Sequence, residues 1–360
     1  MFKRLKQLLN PTPPAPQGDE ILVNAYATVA HLPPRDFPHV TGGLRGLADP
    51  ELARHLNGFM HHVADAGQGK MTRTRYHVIR HIQRVQQHAS LALAPADMPA
   101  MLAWAQDANA ILFMADGSVL DPQGRALLKP AAADGDAQAA LPYPPAAWHR
   151  KARTDAVLGQ RQVTVPADLP PVVSEPELRL RTPEDVLRRM LALFVVAIRA
   201  ESLTGERAIA VADLQQRFPP AFAGLTELER DFLAKDAPTA QEITQFLWRY
   251  EAILVLQWAL GLQQALPFPD AICDVAAISS TVIERGTEGL RKQPVVRSAT
   301  EVLDALDLHY RLHWASRQAL LKKTAVPAGL NDSVLQERHH ALNWLVRFED
   351  REWDEVDTPT

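Results

Sequence analysis

From Ala252 to Leu260 the chain is apolar at every position except Gln257. A helix that is apolar all round has no face to offer water, so it is stable only when other elements enclose it. The run extends at most to Leu262 and is broken by Gln257 and Gly261, well short of the ~20 residues that cross a bilayer. It therefore belongs at the centre of a helical bundle, no membrane span is expected, and the rest of the chain must supply the covering helices.

Those helices are legible from their start signals. Thr239 opens a helix expected over 240–265. Thr182 precedes Pro183, Glu184 and Asp185, a cap followed by proline and acidic residues in the first turn, and predicts a helix through Leu203. Thr226 starts one over 227–235. Ser298 or Thr300 starts one reaching Lys323, and Asn331 or Asp332 starts the last, to Phe348. Six of the seven tryptophans lie at or beyond Trp148, so the larger core is downstream.

Upstream, residues 21–128 read as a small α/β domain. Residues 21–30 are β-rich. Asp49, Pro50 and Gly67 bracket a helix to Ala66. Residues 72–93 are expected to be extended because of their β-branched content. Asp97 caps a helix over 98–108, and Ala110–Met114 follows as a strand. Asp116-Gly117 and Asp121-Pro122-Gln123-Gly124 are turn signals. The element order suggests a ferredoxin-like sandwich. Residues 1–20 form a basic amphipathic piece (Phe2, Leu5, Leu8 and Leu9 on one face) and a proline-rich tether. Residues 129–147, rich in Ala, Pro and Asp, read as a linker. The expected class is thus α+β: a small sandwich at 21–128, then an all-helical domain over 148–360.

The formal charge is −4, from 38 basic and 42 acidic residues. That argues against a general nucleic-acid binder, which needs a basic surface to displace counterions, and no nucleic-acid partner is expected. The lone Cys273 excludes an intrachain disulfide and a four-cysteine zinc site. The N-terminus lacks the apolar stretch of a secretory signal, so the cytoplasm is the expected location. No P-loop, GxGxxG, GxSxG or HExxH motif is present, and no cofactor is expected.

The run Trp248-Arg249-Tyr250-Glu251-Ala252, continuing through Leu262 and Leu266-Pro267, resembles the bacterial domain of unknown function 4272 family. The resemblance starts near Arg150-Lys151-Ala152-Arg153. It continues through Glu337-Arg338-His339-His340-Ala341-Leu342-Asn343-Trp344-Leu345 to the ending Trp353-Asp354-Glu355-Val356-Asp357-Thr358. Pro359 stands where the family carries an acidic residue. The resemblance implies a domain but no activity, and it places a cysteine followed by an acidic residue at Cys273-Asp274.

Any chemistry must come from polar groups set in these apolar helices. Arg249 and Glu251 are two apart on the central helix, so they face different neighbours. Each needs a partner elsewhere, because an unpaired buried charge is very costly. Glu201 and Arg311 are candidate partners, and Asp307, four before Arg311, offers it a local pair. Glu201, Arg249, Glu251, Arg311 and Glu337 are the candidate catalytic residues. The bland alternative is a buried ion network that fixes packing. His309 and His313, four apart, share a helix face and with His340 make a candidate metal site. Glu337 is placed to orient His340, and His339 reads as a core histidine. Cys273 reads as a small buried hydrophobe. His55, His61, His62, His77, His81 and His88 read as solvated or half-buried surface. Trp344 and Trp353 are expected to fasten the C-terminus, whose acidic residues from Glu349 to Asp357 would be solvated or would dock on a basic partner.

Two functions follow. The first is a non-enzymatic interaction or accessory protein with a protein partner, immunity- or inhibitor-like. The second is a hydrolase with an acid/base or metal site inside the bundle. Whether the candidate side chains meet around an open pocket or close on one another decides between them.

Overall fold

The computed structural model describes residues 20–65, 70–130, 135–205, 207–292 and 295–360. The amphipathic segment anticipated at the N-terminus lies outside them. The chain divides into two compact units, one of residues 1–146 with 176–178, the other of 147–175 with 179–360.

The first unit is a six-stranded antiparallel sheet. Its strands are β1 (Ile21–Ala27), β2 (Val40–Gly46), β3 (Gln87–Leu93), β4 (Ala110–Met114), β5 (Val119–Leu120) and β6 (Ala126–Leu128), in the order β2-β3-β1-β4-β5-β6. Alternation along β1 sends residues to opposite faces. Val23, Ala25 and Ala27, with Ala89, Leu91 and Leu112, pack on Met101, Trp104 and Ala105 of α3 (Met98–Asp107). Tyr26, with Ile111 and Phe113, packs on Phe59 and Val63 of α1 (Pro50–Asp65) and on Val78 and Ile82 of α2 (Arg73–Gln83). Helices thus cover both faces, in three layers rather than two. The four strands β4-β1-β3-β2 have the order of a ferredoxin-like sheet, but α1 and α2 lie between β2 and β3, where that fold has a hairpin.

Residues 72–93 are two elements, not one extended segment. Thr72 accepts from the Arg75 amide at 3.3 Å and starts α2, and β3 follows. The two turn signals hold. Asp116 Oδ1 accepts from the Ser118 amide and hydroxyl, and Asp121 Oδ1 accepts from the amides of Gln123 and Arg125, both at 2.9 Å. Beyond the strands, residues 135–144 are not a free tether. Ala139 and Leu141 pack against the α1/α2 core, and Asp121 Oδ2 accepts from the Ala140 amide at 3.1 Å.

The second unit is helical. Its helices are α4 (Pro145–Gln160), α5 (Pro183–Leu203), α6 (Val211–Arg217), α7 (Pro219–Phe222), α8 (Glu227–Ala234), α9 (Ala240–Leu247), α10 (Arg249–Ala259), α11 (Val275–Arg291), α12 (Ala299–Leu321) and α13 (Asp332–Leu345). α10 is the centre: every residue from Tyr250 to Ala259 is buried, enclosed by α5, α11 and α13. The caps anticipated at Thr182, Thr226, Thr239, Ser298 and Asn331 are all present.

The single helix expected over 240–265 is two, α9 and α10, divided at Trp248, and the second stops six residues early. The Leu262 amide bonds the Gln257 carbonyl and the Gly261 amide the Trp258 carbonyl, with Gly261 at φ 71°. This is a Schellman stop, which needs a left-handed residue that glycine adopts without strain. Among the described residues no helix is long and apolar enough to cross a membrane.

Candidate functional site

α10 carries three adjacent polar residues, and each finds a different partner. Arg249 Nη1 donates to both carboxylate oxygens of Glu337 on α13, at 2.9 and 2.8 Å. Glu337 thus holds Arg249 rather than orienting His340. Tyr250 donates its hydroxyl to Glu201 Oε2 at 2.6 Å. Glu201 is exposed at the end of α5 and binds neither Arg249 nor Glu251, contrary to the expected pairing. Burial, and then the bond to Glu201, push the Tyr250 phenol up.

Glu251 is 2% exposed and closes a network the sequence reading did not assemble. Its Oε2 accepts from Arg338 Nε at 2.8 Å and its Oε1 from the Cys273 amide at 2.6 Å. Arg338 Nη1 donates onward to the Pro267 carbonyl at 2.6 Å. Burial, followed by the Glu251 charge, pushes the Cys273 thiol up, so it is a poor nucleophile at neutral pH. The adjacent Asp274 accepts from the Ala277 amide at 3.0 Å and caps α11. That accounts for the acidic residue after the cysteine.

Arg311 makes the anticipated pair with Asp307, at 3.0 and 2.9 Å, and also reaches the Pro170 carbonyl. Asp155 lies 3.7 Å away.

The three metal candidates do not converge. His309 Nδ1 donates to the Ala305 carbonyl at 2.8 Å. The Nδ1 atoms of His313 and His339 share a proton across 3.0 Å. The His340 ring lies on Trp353, with centroids 4.7 Å apart. Among the described residues no three His, Cys, Asp or Glu side chains are grouped to hold a metal ion. Burial lowers all four imidazoles, His309, His313 and His340 to about 4 and His339 well below its ordinary value.

In the first unit His61 is exposed and His62 and His77 half-buried, as expected, but His55, His81 and His88 are buried, which corrects the reading for those three. The Asn24 amide oxygen can only accept, so His88 Nε2 donates to it at 3.1 Å and His88 Nδ1 accepts from Arg45 at 3.3 Å. His55 meets the Tyr26 hydroxyl at 2.8 Å. The sheet face that carries Tyr26 closes over all of them.

Open space lies elsewhere in the helical unit. A cleft of about 470 Å³ is lined by the start of α5 (Asp185, Arg188, Arg189), the turn before α8 (Ala223–Thr226), Arg181, Trp344, and Glu352–Glu355 of the C-terminal segment. Adding a Cβ at Gly224 would place it 2.7 Å from Arg188 Cγ and 3.0 Å from the Arg188 carbonyl oxygen, so glycine permits the close approach that forms this wall. Arg181 donates to Glu352 at 3.0 Å and to the Arg351 carbonyl at 2.7 Å, with its guanidinium over Trp344. Arg189 pairs with the buried Glu229 and covers Trp353. Trp353 is 3% exposed, so the two tryptophans do fasten the terminus as expected, and part of the acidic segment binds this chain's own arginines. Burial raises the Asp354 carboxyl above its ordinary range. Among the described residues, the indole N–H groups of Trp344 and Trp353 and the Nε of Arg189 find no hydrogen-bond partner. The cleft therefore combines both signs of charge with two tryptophans, and its Asp354 carboxyl bonds the Thr226 hydroxyl.

Sequence reading named Trp344 and Trp353 but passed over Arg181, Arg188, Arg189 and Arg338. For Arg338 the signal was present: Leu335, Arg338, Leu342 and Leu345 share the buried stripe of α13. The cleft arginines carried no such mark.

No curated protein and no solved structure matches this chain. A family model described as "Domain of unknown function (DUF4272)" matches residues 150–356, which takes in the whole α10 network and the cleft. The chain belongs to the DUF4272 family.

Proposed function

We propose that this protein is a non-enzymatic interaction or accessory protein, of the immunity or inhibitor kind, whose helical unit binds a protein partner at the cleft beside Trp344 and Trp353. The observation that carries this reading is the closure of the candidate residues within the bundle on ion partners, while Glu201, at the exposed end of α5, bonds Tyr250. Glu251 with Arg338, Glu337 with Arg249, and Asp307 with Arg311 form separate pairs, and none of the six lines the cleft. Buried pairs of this kind fix packing and are retained without any reaction. Arginine and tryptophan supply five of the thirteen residues that line the cleft, and both are enriched among energetic anchors of protein interfaces.

The test is the native mass and metal content of the untagged protein purified from its own host. The expected result is a metal-free complex with one reproducible protein partner. Arg188→Glu with Glu355→Lys should release that partner, and Glu337→Gln should not. A stoichiometric transition metal lost on His309→Ala would overturn the reading in favour of hydrolase chemistry.

A further inference from the structure

The C-terminal segment behaves as a peptide ligand tethered to its own receptor. Trp353 is its anchor, enclosed by His340, Trp344 and Arg189, and Val356 is a second buried contact. Polar bonds hold its backbone: Arg181 grips the Arg351 carbonyl, and Asn343 Nδ2 donates to the Asp357 carbonyl at 2.8 Å. Arg179 adds an ion pair to Asp350.

The connection that delivers this segment is strained. Between the end of α13 and Arg351, the residues Arg347, Glu349 and Asp350 have φ of 52°, 53° and 54°. None is glycine, and the left-handed region disfavours each L side chain, least so for Asp350. Three such residues in four positions persist only because the docked segment holds them. Short hinge loops under strain invite exchange of the element they carry.

From the strained hinge and the self-contained anchor we propose that residues 351–360 exchange between two copies of this chain, each segment docking on the other copy's Arg181, Asn343 and Trp344. The occupant is chemically the same, so every docking contact is kept, and the opened hinge relaxes toward extended backbone. The wall of each cleft formed by Glu352–Glu355 then comes from the second copy. This inference does not depend on what the cleft binds.

The experiment is the native mass of the full chain over a range of concentrations, measured after brief partial unfolding and refolding at high concentration. A species at twice the 39.9 kDa chain mass is expected beside the monomer. A synthetic peptide of residues 351–360, added in excess, should convert it to monomer. Arg347→Gly with Glu349→Gly relieves the closed hinge without touching the anchor, and should lower the dimer's association constant at least about tenfold. Trp353→Ala should abolish the dimer. Absence of a dimer under every condition would overturn the proposal. So would a dimer indifferent to the peptide and to the glycine pair, and that pair decides the matter even if Trp353→Ala fails to fold.

Discussion

At the scale of single residues, the energetics centre on charges held out of water. Glu251 and Arg338 are both essentially unexposed and 2.8 Å apart. Removing one partner leaves the other as an uncompensated buried charge, which costs about 3–5 kcal/mol, whereas replacing both with apolar groups costs far less. Denaturant unfolding of Arg338→Met is therefore expected to show a loss in that range. Glu251→Leu combined with Arg338→Met should recover much of it; a double variant no more stable than the single would refute the pairing. Cys273 tests the same network from another side. Its thiol is pushed up by burial and by the Glu251 charge, so alkylation at pH 8 should be at least ~100-fold slower in the folded chain than in denaturant. Fast stoichiometric labelling of the native protein would count against it. That Glu251 needed a partner was legible in the sequence, because the helix around it is apolar. Which arginine answered was not: Arg338 is 87 positions away, and only the packing of α13 on α10 brings the two together.

At the scale of elements, caps and stops were the most legible features, because they depend on residues a few positions apart. Five N-caps lie where the side chains announce them. Misreadings came where two short elements shared one window, as in 72–93, or where a start signal was passed over, as at Asp274 before α11. Two glycines separate conformational from steric cost. Gly261 has φ 71° with no atom within 4 Å of an added Cβ, so Gly261→Ala should cost only the left-handed penalty, about 1–2 kcal/mol. Gly224 meets the backbone of Arg188. Gly224→Ala must therefore push the turn before α8 away from α5, at about 1–3 kcal/mol. Thermal melts give both losses. Only Gly224→Ala should also change the fluorescence of Trp344 and Trp353, which border the displaced wall, and equal spectra for the two variants would show that the turn absorbs the methyl group elsewhere.

At the scale of the whole molecule, buried neutral histidines set the response to acid. Burial lowers His309, His313 and His340 to about 4 in the folded chain and holds His339 well below its ordinary value, against about 6.5 when unfolded. The unfolded chain thus takes up protons first as pH falls. The stability these groups confer is complete above about 6.5 and is lost progressively toward pH 4. The loss from His309, His313 and His340 is on the order of 3 kcal/mol each once the pH is below their folded values. His81, lowered to about 3 by burial, adds the same trend in the sheet unit. Urea midpoints should hold from pH 7.5 to about 6.5 and then fall toward pH 4.5 at constant slope; a flat profile throughout would mean that the imidazoles are not held neutral.

Local residue order was enough for the two-part α+β class, the central position of α10, five of the helix starts and the two turns. Each of these rests on interactions between neighbours or on a hydrophobic period. Long-range packing sets α1 and α2 between β2 and β3, buries His55, His81 and His88, and closes Glu251 and Glu337 on separate arginines. It also decided that the open cleft forms where the C-terminal segment folds back. Those outcomes depend on which distant surfaces meet, and a single sequence carries no local signal for a contact made across a hundred residues.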